Sequence, residues 1–105
     1  MVKVKRKTKL AFIEYYNSKV EEYKKTYEFI KRKPVFYLIL AVGDGDGAIK
    51  ESFAKILIRK KGVEELIEKG IFTRHQPDKT TLLLLTEKGW KTYKLLKELH
   101  EILSK

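Results

Sequence analysis

The 105-residue chain carries 24 Lys and Arg against 14 Asp and Glu, a formal net charge of +10, and no cysteine. That length suits one domain with a modest core. The lack of cysteine excludes a disulfide, a Cys–zinc site and a thiol nucleophile, and no apolar run reaches the ~18 residues of a membrane span.

The charge is uneven. Residues 1–33 hold eleven basic and four acidic side chains, so the excess sits at the N-terminal end. Nucleic acid is the usual partner of a soluble basic chain. A solvated thermophile surface is the alternative, because Lys and Glu abound and Asn17 and Gln76 are the sole Asn and Gln. The first residues are basic but lead into no apolar stretch with a small-residue cleavage site, so an intracellular, cytoplasmic protein is expected, in the host cytoplasm if the source is viral.

Residues 1–8 read as a basic flexible arm. Lys3, Lys5, Arg6 and Lys7 either contact phosphate or the minor groove, as arms do in some DNA-binding folds, or form a terminus without a role. The rest, 9–105, reads as one domain. Residues 9–33 form a long helix. Ile13, Tyr16, Val20, Tyr23, Tyr27 and Ile30 recur at alternating intervals of three and four, the a/d seam of a heptad pattern. That seam is either a dimer interface or the face by which the helix packs on its own domain. Pro34 disfavours helix at Lys33 and marks the end.

Residues 34–42, PVFYLILAV, are almost wholly apolar. A buried helix with Pro in its first turn and a central strand are both compatible with the run. GDGDG at 43–47 is a turn. Its spacing fails as a calcium loop, since Asp44 and Asp46 as third and fifth ligands would put Val42 first and Phe53 twelfth. Ala48-Ile49 can pair as a short strand. Residues 50–58 form the next helix, with Phe53, Ile56 and Leu57 inward. Arg59-Lys60-Lys61-Gly62 makes the turn into a helix that ends near Lys69, where Gly70 supplies the left-handed C-cap.

A hairpin follows. Ile71-Phe72-Thr73 starts its first strand, Gln76-Pro77-Asp78-Lys79 supplies turn chemistry, and the apolar run to Leu85 is its second. Thr86 caps a final helix over 87–103, with Trp90, Tyr93, Leu96, Leu99 and Leu103 on its apolar side. Leu99 and Ile102 join the seam of the first helix as expected dimer contacts, because this helix is too apolar to stand alone.

The steps Leu66-Ile67-Glu68-Lys69-Gly70-Ile71-Phe72 and Leu84-Leu85-Thr86-Glu87-Lys88-Gly89 resemble those of the winged helix-turn-helix family, in particular MarR-like and PadR-like archaeal and viral regulators. The likeness covers about half the chain, from Gly47 to Leu96. It implies an α+β fold, a helical core with a small β-hairpin wing, in which 34–85 is the helix-turn-helix plus wing and 86–105 the C-terminal helix. It also implies a dimeric, sequence-specific regulator of double-stranded DNA, with the second helix of the pair in the major groove and the wing on the backbone or minor groove. The DNA contacts expected on that basis are Arg59, Lys60, Lys61, Glu64 and Lys50, then Arg74, His75 and Lys79 at the wing, and Lys3, Lys5, Arg6 and Lys7 in the arm. Glu64 and Glu65 repel phosphate, which moves the weight to Arg59, Lys60 and Lys61.

No catalytic or metal constellation is legible. His75 and His100 lack the spacing of a metal motif, and Ser18, Ser52 and Ser104 lie in no nucleophile setting. No cofactor or enzyme activity is expected. A protein-interaction module on the same scaffold is the alternative function.

Overall fold

The computed structural model describes residues 6–104 of the chain. It contains four helices and a three-stranded antiparallel sheet, an α+β architecture. The chain divides into two units, one running to Arg32 and the other beginning at Lys33.

The first unit is the helix α1, Arg6–Ile30. It starts earlier than the seam alone suggests, because Arg and Lys are good helix formers and extend the helix into what reads as an arm. Arg6 and Lys7 are therefore helical, whereas Lys3 and Lys5 lie outside the described residues. The helix also stops at Ile30 rather than 33.

The second unit opens with α2, Lys33–Asp44, so the apolar run is a helix. Its buried residues Val35, Leu38, Ile39 and Val42 fall at i, i+3, i+4 and i+7, one face of a 3.6-residue repeat. Strand β1, Ala48–Lys50, follows. Helix α3, Glu51–Glu68, is broken at Arg59, and hairpin strands β2, Phe72–His75, and β3, Leu82–Leu85, come next. Helix α4, Glu87–Leu103, closes the unit.

The sheet order is β1-β3-β2, so β3 is central. Ile49 stands opposite Leu83 on one side, and Phe72 opposite Leu85 on the other. Leu83 and Leu85 alternate inward and join Phe72, Ile39, Leu66, Val63, Ala54 and Ile71 in the core. Gly70 takes φ +80°, a left-handed conformation in which a side chain would be strained, and the amide of Ile71 bonds back to the Leu66 carbonyl. Thr86 caps α4 by accepting a hydrogen bond from the Gly89 amide at 2.9 Å.

One face is the reverse of expectation. Phe53, Ile56 and Leu57 are exposed, at 53, 79 and 56 %. Glu51, Ala54 and Ile58 point inward in their place. A glutamate at such a position is ordinarily solvated, and its burial here depends on a partner far along the chain.

Candidate nucleic-acid interface

That partner is Arg74. Its guanidinium donates to Glu51 Oε1 from Nε at 2.7 Å and also bonds Glu64. Lys55 Nζ stands 3.2 Å from Glu51 Oε2. Arg74 belongs to β2, Glu51 to the start of α3, and Glu64 to the stretch beyond the break. One side chain therefore ties the hairpin to both halves of the broken helix. Arg74, beside Glu51, is the largest influence holding the Glu51 carboxyl below the ordinary carboxylate range, with Lys55 acting in the same direction and burial opposing both. Arg74 and Glu64, both expected from the sequence to touch DNA, bond each other, and Arg74 bonds Glu51 as well.

The break itself is confined to one residue. Arg59 adopts φ 66°, ψ 169°, a region that is essentially reserved for glycine. Gly62, assigned by the sequence to the turn, is instead helical and buried against Ile58, where an added Cβ would lie 3.0 Å from the Ile58 Cβ. That close approach lets the second half of α3 leave at an angle. Arg59→Gly is expected to raise the unfolding midpoint by several degrees, corresponding to about 1 kcal/mol of relieved backbone strain after the entropy cost of glycine. Thermal melts of Arg59→Gly and Arg59→Ala compare the two effects, and a lower midpoint for the glycine variant would exclude stored strain.

Beyond the break, Arg59, Lys60 and Lys61 are exposed and pair with no carboxylate among the described residues. They open the second half of α3, where the free amides of a helix start add partial positive charge. Lys50, Lys55 and Lys79 line a cleft of about 400 Å³ with Ser52, Thr80 and Thr81, at the loop end of the hairpin. The Glu51 amide donates to the Thr81 carbonyl at 2.9 Å and fixes that end to the start of α3. Lys50 also lies 5.4 Å from the centre of the Phe53 ring. His75 and Lys79 are exposed on the hairpin, and the Asp78 side chain accepts from the Thr80 amide at 2.7 Å, which shapes the turn.

The aspartates of the GDGDG turn are engaged by their surroundings. Asp44 receives hydrogen bonds from Tyr93 and from Lys97 at 2.9 Å, and these hold its carboxyl below the usual range. Asp46 accepts from the Ala48 amide. Among the described residues no group of His, Asp and Glu could hold a metal ion, and no helix is long and apolar enough to cross a membrane.

The residues expected to form a dimer interface lie along two helices. On α1, Ile13, Tyr16, Val20, Tyr23 and Tyr27 are between 45 and 61 % exposed, while Ile30 at its end is partly covered. On α4, Leu99 and Ile102 are exposed beside Leu95 and Leu103. No protein-family model matches the chain, and neither a curated protein nor a solved structure matches it.

Proposed function

We propose that the unit from Lys33 onward is a winged helix-turn-helix domain that binds duplex DNA, and that the protein is a small dimeric transcriptional regulator. The element order supports this reading: helix, strand, helix, one-residue turn, helix, hairpin, helix. The observation that carries it is the trio Arg59, Lys60 and Lys61, exposed and unpaired at the start of a helix that Arg74 clamps to the hairpin. In this arrangement the second half of α3 enters the major groove by its first turn. Lys79 and His75 meet the backbone or minor groove, and Lys50 and Lys55 meet phosphates beside the loop end of the hairpin. Base reading is short, because Glu64 and Glu68 occupy the exposed face further along the helix.

A mobility shift with a labelled random duplex in 50 mM salt tests the reading. The protein should shift the duplex at micromolar concentration or below. Lys60→Glu with Lys61→Glu should abolish the shift while leaving the unfolding midpoint within a few degrees, since both side chains are solvent-exposed. Absence of any shift by the unsubstituted protein would leave the second reading, a protein-binding module. Phe53, Ile56 and Leu57 favour that alternative, since they place apolar surface on the outer side of α3.

A further inference from the structure

Helix α1, 25 residues long, carries an exposed seam from Ile13 to Tyr27, and helices in proteins draw most of their stability from packing such a face. The dimer proposed above supplies a cover, and the side chains beside the seam decide its orientation. In heptad terms Ile13, Val20 and Tyr27 occupy a, and Tyr16, Tyr23 and Ile30 occupy d. The flanking e and g positions hold Leu10, Phe12, Asn17, Lys19, Lys24, Thr26 and Lys31.

A parallel in-register pair sets g against e five residues on. Lys19 would then face Lys24 of the second copy, and symmetry repeats the clash. Each seam layer would also meet itself, so Tyr16, Tyr23 and Tyr27 would each stack on an identical ring while Val20 faced only Val20. An antiparallel pair matches a with d. Ile13 then faces Ile30, Tyr16 faces Tyr27, and Val20 faces Tyr23, so all six seam positions find a partner and the smallest faces one of the largest. The flanks become Lys24 with Asn17, Lys19 with Thr26, and Lys31 with Leu10, with no like charges opposed.

Lys19 already pairs with Glu22 of its own helix at 2.8 Å, and Lys31 lies 5.5 Å from the centre of the Tyr27 ring. Neither lysine therefore needs a carboxylate from across the seam. Opposed helix dipoles add to the preference. We infer that α1 is an antiparallel homodimerisation helix, in which Tyr16 of one copy packs on Tyr27 of the other about a central Val20–Tyr23 layer.

The chain has no cysteine, so introduced thiols report the orientation without background. Tyr16→Cys and Tyr27→Cys would be oxidised separately and after mixing with subunit exchange. In the antiparallel pair Tyr16 and its own symmetry mate are offset by eleven residues, about 16 Å of helix, beyond the ~7 Å reach of a disulfide. Covalent dimer is expected from the mixture and from neither variant alone. Ile13→Cys with Ile30→Cys repeats the test without removing a tyrosine.

Cross-linking by each variant alone would establish a parallel pair and overturn the inference. So would the failure of both pairs to cross-link when light scattering shows the unsubstituted protein at twice 12.4 kDa, since the dimer would then form elsewhere. A solution mass of one chain would overturn the dimer itself, a result distinct from the orientation.

Discussion

Affinity for a random-sequence duplex is expected to fall about a thousandfold between 50 and 200 mM salt. Each cation that meets a phosphate displaces condensed counterion, and log K changes by about 0.9 per contact for each decade of salt. Lys50, Lys55 and Lys79 offer roughly six such contacts in a dimer, which sets a slope near five. Arg59 and Lys60 steepen it where they reach the backbone. Arg74 adds little, because Glu51 and Glu64 already hold its charge. Lys79→Ala should therefore weaken all duplexes by a similar factor and lower the slope by about one for each phosphate left unmet, whereas Lys61→Ala should change the preferred sequence at a cost of roughly 1–3 kcal/mol per base contact. Fluorescence anisotropy across a salt series reads both. A flat response would mean that the +10 charge is a solvated surface, and that any binding is of another kind.

Local chemistry makes much of this fold legible in the sequence. Gly70 ends a helix because glycine takes the left-handed conformation found there, and Thr86 caps α4 because its hydroxyl can accept from the amide three residues on. Ala48-Ile49 can be paired with the hairpin because a short β-prone step follows a glycine turn. Wherever the deciding partner is distant, the sequence misleads. Phe53, Ile56 and Leu57 have the helical spacing of an inner face, but Glu51, Ala54 and Ile58 share an equally good spacing one step round the helix. Periodicity cannot choose between two such faces. Arg74, 23 residues away, makes the choice by neutralising Glu51. The bend at Arg59 is hidden for a related reason. Glycine is the residue such a backbone selects, and the nearest glycine, Gly62, serves helix packing instead. The candidate site follows the same division. The basic trio can be named from sequence, while the bonds of Arg74 to Glu51 and Glu64 cannot.

Removing that clamp should be costly. Glu51 is only 8 % exposed, and Arg74→Ala leaves its carboxylate with Lys55 as its remaining cation. Leaving a buried carboxylate short of a partner costs about 1–3 kcal/mol, or roughly 5–15 °C in the midpoint of a domain this size. The loss should depend on pH, and its sign is fixed. In the folded protein the Glu51 carboxyl sits below its ordinary value of 4.5, so the pair stabilises the fold above that value. The contribution fades as pH falls through the lower folded value, where Glu51 becomes protonated. Unsubstituted protein thus loses this stability in acid, and Arg74→Ala, left with Lys55 alone, has less of it to lose. The gap between the two melting curves should be full at pH 7 and smaller at a pH below the folded value of Glu51. Glu51→Gln, which removes the charge but keeps the shape, should show a pH dependence at least as shallow as that of Arg74→Ala. A gap of equal size at both pH values would assign the effect to packing of the arginine stem. Duplex affinity measured at pH 7 well below the melting point gives the functional counterpart. If Arg74 positions the second half of α3 against the hairpin, its loss should blur the preferred sequence more than it weakens random duplex, the reverse of what removing a plain phosphate contact would do.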